Sequence, residues 1–274
     1  LPLKEFSKKL TGKIVGQKAG LERIARGIKR GTLNGYAGRP KPVYSCLLYG
    51  ESGIGKTLLA ETLAKLFTGD KRFLRIDASE LKSSELANAR LLGMPIGYKG
   101  FEQGGTLTEF ARRHKGGVVL VDEFEKAGDG VEDLFMRALD TGSVTSAVGE
   151  VFDLTNFVFI FTTNAGVKKE SRVGFLTQEA EVDPRVALAG SFKPEVLNRF
   201  DDVIQFEALK KSDLAKIAAN TLSDMLETSR KRGDKAKMSK KRIQTLAAEV
   251  AEVANNGRQA YRIARDRFLD GLVE

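Results

Sequence analysis

The sequence predicts an α/β fold, a parallel sheet held between helices, with a small helical domain after it. Three observations predict it. Short apolar runs recur at residues 43–48, 73–77, 118–122, 157–161 and 203–206. Stretches with helical spacing separate them, such as Leu107, Phe110 and Ala111, or Val131, Leu134, Phe135 and Leu139. Beyond Phe206 only helical periods remain.

Each element follows from its pattern. Runs that are apolar without alternation are strands buried on both faces, as in a parallel sheet covered by helices. In the last quarter, Leu214, Ile217, Ala218, Leu222 and Met225 keep one helical period. Ile243, Leu246, Ala247, Val250 and Val253 keep another, and Tyr261, Ala264, Arg265 and Phe268 a third. The expected division is a large α/β domain over 1–206 and a small helical domain over 207–274.

Composition narrows the class. At 274 residues the chain has room for one large domain, or for a large and a small one. Hydrophobic residues make up 42%, enough for a packed core, which argues against general disorder. No apolar run approaches a membrane span and no charged-then-apolar leader is seen, so no membrane partner is expected. The single cysteine, Cys46, lies in an apolar run. That excludes a disulfide framework and fits a reducing, cytoplasmic location. The first residue is Leu1 rather than Met, so the chain reads as processed or as an excerpt of something longer.

Net charge is +9, with the positive residues spread along the whole length. The densest stretch runs from Arg230, Lys231 and Arg232 through Lys235, Lys237, Lys240, Lys241 and Arg242. No aromatic residue is interleaved there to stack on bases, which favours a solvated hinge between helices over nucleic-acid binding.

Chemistry concentrates in a few motifs. Gly50, Glu51, Ser52, Gly53, Ile54, Gly55, Lys56 and Thr57 spell G-x-x-x-x-G-K-T, after an apolar run and before a helical stretch of Leu58, Leu59, Leu63 and Leu66. That strand–loop–helix context distinguishes a phosphate-binding loop from a Gly-rich turn. Backbone N–H groups of such a loop point at phosphate oxygens, and the helix behind adds its dipole. Lys56 would reach the β- and γ-phosphates and the Thr57 hydroxyl would ligate Mg²⁺.

Residues 118–123 end in Asp122 and Glu123, the acidic element such a loop needs. Asp122 is expected to hold Mg²⁺ through its water shell, because Mg²⁺ keeps several waters. Glu123 is expected to polarise the attacking water as general base. The run 157–161 leads into Thr162, Thr163 and Asn164. Asn164 at a strand end reads either as a turn residue or as an amide that orients this water.

In this order the motifs resemble those of AAA+ ATPases, more narrowly the Clp-type unfoldases, and most of all the second ATPase module of ClpB-like disaggregases. Five segments carry the resemblance, and it covers nearly the whole chain. Ile14, Val15, Gly16 and Gln17 resemble the motif that packs around adenine. Residues 50–57 and 118–123 match the Walker A and Walker B elements, and Phe124, Glu125, Lys126 and Ala127 continue the latter in the Clp manner. Gly97, Tyr98, Lys99 and Gly100 resemble an aromatic pore loop, with Lys99 where a small apolar residue is usual. Residues 192–201 resemble the segment bearing an arginine finger.

The resemblance implies an AAA+ core with ATP and Mg²⁺. It assigns Ile14, Val15, residues 50–58 including Leu58, and Arg258 (the sensor-2 position) to ATP, and Thr57 and Asp122 to the metal. Lys56, Glu123, Asn164 (sensor 1) and Arg199 would be catalytic, with Arg199 reaching into a neighbouring subunit. A cation there offsets charge on the transferring phosphoryl group, an effect of about 10³–10⁵ in rate in related systems. Outside this context Arg199 would read as a surface salt bridge. A site shared in this way is complete only in a ring, a hexamer in the family. Tyr98 and Lys99 would grip a polypeptide in the central channel, and residues 142–150 stand where a second pore loop is expected. The substrate domain, first module and middle insertion of longer members have no counterpart here, so their adaptor and chaperone partners are not carried over. The small domain stops soon after Phe268, where family members usually continue. The expected function is an ATP-hydrolysing ring motor that unfolds or remodels protein. An AAA+ motor on nucleic acid, kept open by the charge and Lys99, and an ATP-dependent assembly module are the alternatives.

Overall fold

Leu3–Lys13 forms α1 and Lys18–Asn34 forms α2, two amphipathic helices that turn Phe6, Leu10, Leu21, Ile24 and Ile28 inward. Neither was among the elements expected from sequence. The computed structural model describes residues 3–34, 40–70, 72–98, 101–166, 183–233 and 238–273. After α2 come β1 (Tyr44–Tyr49), α3 (Lys56–Thr68), β2 (Phe73–Asp77), α4 (Ser84–Leu92) and α5 (Thr106–Arg113). Then follow β3 (Gly117–Asp122), α6 (Asp129–Thr141), β4 (Ser143–Thr145), β5 (Val151–Asp153) and β6 (Phe157–Thr163). Two short helices, α7 (Pro184–Leu188) and α8 (Pro194–Leu197), lead to β7 (Asp202–Gln205).

Five strands make one parallel sheet in the order β2-β3-β6-β1-β7. The three central strands are buried along their whole length, which is why their sequences show no polar alternation. Their side chains still alternate between two cores. Cys46, Leu48, Leu120 and Ile160 face α1, α2 and α3, whereas Leu47, Tyr49, Val121, Phe159 and Phe161 face α4 and α6. The parallel direction brings the carboxyl ends of β3, β6 and β1 side by side, where open α/β sheets place ligands.

On the second face the core is aromatic. Phe161 is fully buried, and its ring lies 4.8 Å from that of Phe124, 5.5 Å from Phe135 and 5.0 Å from Phe200. Phe161→Ala should cost about 3–5 kcal/mol, the transfer loss plus a cavity that these rigid rings fill poorly. Denaturant unfolding should show this as a lower midpoint with an unchanged slope. A midpoint equal to that of the parent would contradict the packing argument.

Two features differ from expectation at their edges. Residues 142–150, where a second pore loop is expected, comprise β4 and the turn into β5, an antiparallel hairpin with Val144 opposite Phe152. The strand expected over 157–161 extends to Thr163. Past β7 the described residues are helical: α9 (Lys211–Arg232), α10 (Lys240–Val253) and α11 (Gly257–Val273). They share a core of their own that includes Leu214, Ala218, Leu222, Leu246, Val250 and Phe268. The basic stretch falls at the end of α9 and the start of α10, with Lys235 and Lys237 outside the described residues. Among the described residues no helix is long and apolar enough to cross a membrane.

Candidate functional site

The loop between β1 and α3 is shaped by its glycines. Gly50 has φ 145°, and a Cβ there would sit 2.4 Å from the Phe206 carbonyl oxygen. Gly53 has φ 80°, and a Cβ there would come within 2.9 Å of Asn256 Oδ1. Gly55 caps α3 without any side-chain hydrogen bond. The first-turn N–H groups of α3 are thus left for a ligand rather than taken by a capping side chain.

Lys56 opens α3 and is only 8% exposed. Its Nζ has four acceptors within hydrogen-bonding distance for its three protons: the carbonyls of Gly50 (2.5 Å), Glu51 (3.0 Å) and Thr163 (3.1 Å) and Asn164 Oδ1 (2.9 Å). Burial pulls its pKa down to about 8, against the opposing pull of Glu125 and then of Asp122, Glu123 and Glu51. The phosphate-loop lysine and the expected sensor amide are therefore in direct contact.

Asp122 ends β3 with both oxygens engaged. Thr162 Oγ1 donates to Oδ1, and Arg75 Nη2 donates to Oδ2 at 2.7 Å. Glu123 follows with φ 56°, the left-handed region that a glutamate adopts at a cost. Its N–H donates to Thr162 Oγ1 at 3.1 Å, and its carboxylate pairs with Lys126 Nζ at 2.6 Å. Two residues on, Glu125 Oε1 accepts the Asn164 N–H at 3.1 Å, while the buried Oε2 has no hydrogen-bond partner among the described residues. Thr57 (half-buried) and Asp122 offer oxygen donors, which suit a hard cation such as Mg²⁺. Among the described residues no group of three or more His, Cys, Asp or Glu could hold a metal. An ion here would depend on phosphate oxygens and water for its remaining ligands.

The other side of the loop is closed by the N-terminal segment and the C-terminal helices. Ile14 is buried 3.8 Å from where a Gly55 Cβ would stand, and Val15 is half-buried next to it. Gln17 is fixed to the start of the helical region, its amide donating to the Glu207 carbonyl at 2.9 Å and accepting the Glu207 N–H at 3.0 Å. The start of α11 abuts the loop: a Cβ on Gly53 would lie 3.4 Å from the Arg258 Cβ, and one on Gly257 would lie 2.9 Å from the Gly53 carbonyl oxygen. Arg258 is exposed beside the loop, as is Leu58 on α3.

The structure thus gathers Ile14, residues 50–57, Asp122, Glu123, Asn164 and Arg258 around one loop. Arg199 is not among them. It is half-exposed, and its Nη1 pairs with Asp140 on α6. Tyr98 is 61% exposed in a turn closed by its N–H on the Pro95 carbonyl at 3.2 Å, while Lys99 and Gly100 lie outside the described residues. The β4–β5 hairpin stands beside that turn, the Ala147 N–H donating to the Leu92 carbonyl at 3.3 Å.

Sequence reasoning missed Arg75, Thr162 and Glu125. A lone arginine in an otherwise apolar strand was the available signal for Arg75. Thr162 had no such signal: it meets Asp122 only because Val121 pairs with Phe161, which brings the two residues side by side on neighbouring strands.

Comparison with known proteins gives the family. The family model of the AAA domain (Cdc48 subfamily) matches residues 41–203. The chain is 36% identical over 236 residues to the ATP-dependent Clp protease ATP-binding subunit ClpE of Bacillus subtilis, covering 84% of this chain and 34% of that protein. It is 36% identical over 276 residues to the chaperone protein ClpB of Prochlorococcus marinus, covering 99% of this chain and 32% of ClpB. With ClpB of Helicobacter hepaticus the identity is 37%, over 97% of this chain and 31% of that protein. The chain spans about a third of the length of these relatives.

Proposed function

The chain belongs to the AAA domain family, in its Clp-type branch, and from that premise we propose that it hydrolyses ATP in a ring and uses the energy to remodel polypeptides. One observation carries the reading most. Asp122, Glu123 and Asn164 stand at the adjoining ends of β3 and β6, and Lys56 at the start of α3 is bonded directly to the Asn164 amide. Lys56 binds the outer phosphates, and Asn164, tied to Glu125, holds the attacking water against Glu123. Glu123 takes the proton of that water as the water oxygen bonds to the γ-phosphorus and the γ-phosphorus–oxygen bond to the β-phosphate breaks, releasing ADP and phosphate. Thr57 and Asp122 hold Mg²⁺, which supplies charge neutralisation on the phosphate oxygens when bound.

The finer parts of the proposal rest on the family likeness. Residues 1–206 act as the nucleotide-binding domain and 207–274 as a lid whose Arg258 meets the phosphates. The functional unit is a hexamer in which Arg199 leaves Asp140 for a neighbour's nucleotide. The segment corresponds to the second ATPase module of a ClpB-like protein working in the cytoplasm. Tyr98, exposed in its turn, and Lys99 grip the polypeptide in the central channel.

Tyr98→Ala tests the substrate class. ATP hydrolysis should be unchanged, while unfolding of a tagged folded protein should slow by about tenfold, the size of a lost aromatic contact. If the variant instead loses only stimulation by DNA or RNA, the motor acts on nucleic acid and the polypeptide reading fails.

A further inference from the structure

We propose that Thr162 is a positioning residue for hydrolysis, its one hydroxyl setting both Asp122 and Glu123 in place. The inference rests on the ATP-hydrolysing reading above. Thr162 is 1% exposed near the end of β6, directly beside the end of β3. A hydroxyl offers one proton and two acceptor lone pairs. Here the proton goes to Asp122 Oδ1 and a lone pair accepts the Glu123 N–H at 3.1 Å. With Arg75 on Oδ2, the Asp122 carboxylate is held at both oxygens, which fixes its plane.

The bond to Glu123 has a separate consequence. Glu123 sits in the left-handed region, which a non-glycine residue leaves unless its surroundings over-determine it. The Thr162 hydroxyl supplies one such constraint on the near side, and the Lys126 N–H on the Glu123 carbonyl (2.9 Å) supplies one on the far side. Without the hydroxyl, the Glu123 N–H loses its side-chain acceptor and the base can swing from its position.

A purely structural account of Thr162 makes a different forecast. Valine has nearly the same shape and suits a buried strand, so a space-filling role would be kept by Thr162→Val. The experiment compares Thr162→Val, Thr162→Ala and Thr162→Ser with the parent protein by steady-state ATP hydrolysis, nucleotide affinity and thermal unfolding. The valine and alanine variants should lose about 10–100-fold in kcat, as expected for outer partners of a metal or catalytic group, with nucleotide affinity nearly unchanged. The serine variant, which restores the hydroxyl, should recover most of the rate. Alanine provides a second hydroxyl-free protein should valine disturb folding. The inference is overturned if a folded valine or alanine variant turns over like the parent. It is also overturned if serine is as slow as they are, or if affinity falls in step with kcat. A parent that hydrolyses ATP while Glu123→Gln does not confirms the underlying reading independently, and a parent without hydrolysis overturns both.

Discussion

Glu123→Gln is expected to slow ATP turnover by about 10²–10⁴-fold, the contribution of a positioned general base, while ATP still binds. The amide keeps the size of the side chain and its backbone bond to Thr162, but it cannot accept a proton from water. The pair with Lys126 is lost as well, yet this pair is substantially exposed and contributes little. Because Lys56, Asn164 and the loop are untouched, affinity for nucleotide should stay close to that of the parent. Single-turnover hydrolysis together with fluorescent-nucleotide titration checks both halves. Hydrolysis that survives in the glutamine variant would show that another group takes the proton.

Lys56→Ala should act on the other half of the cycle and weaken nucleotide binding by about two to three orders of magnitude, the cost of removing one partner of a buried charge pair. The parent protein should also show a pH signature. Burial sets the Lys56 pKa at about 8, below its ordinary 10.5, and phosphate oxygens would favour the charged form, so the bound pKa is higher than the free one. Affinity is then fully present below pH 8. Above pH 8 binding must take up a proton, and affinity should fall by up to about tenfold per pH unit. Lys56→Arg cannot lose its proton in this range and should give a flat profile, whatever its absolute affinity. A flat parent profile between pH 7 and 9 would mean that the ammonium does not meet the phosphates.

Much of this was visible in the sequence, for identifiable reasons. The central strands could be read because burial on both faces leaves uninterrupted apolar runs, as in residues 118–122. The phosphate loop could be read because its glycines and Lys56 have fixed spacing. The three C-terminal helices could be read from the recurrence of Leu214, Leu246 and Phe268 with their neighbours. What escaped depends on register between distant segments. Thr162 acquires its partners only when β6 lies beside β3, and Arg75 only when β2 flanks β3 on the other side. Glu125 reads as part of a charged turn until Asn164 is placed against it. The short strands β4 and β5 carry one buried residue each, Val144 and Phe152, too few to display a period. Arg199 is a different case, since its proposed partner belongs to another subunit and among the described residues of a single chain it pairs with Asp140.

The backbone at Glu123 implies a conflict between durability and turnover. A glutamate in left-handed geometry costs about 1–3 kcal/mol, against a total stability of about 5–15 kcal/mol for a typical domain. Glycine, and to a lesser degree asparagine, adopts this geometry freely. A selection for heat resistance alone would therefore favour replacing the residue proposed here as the general base. Position 123 is where a sturdier protein and a working one call for different amino acids.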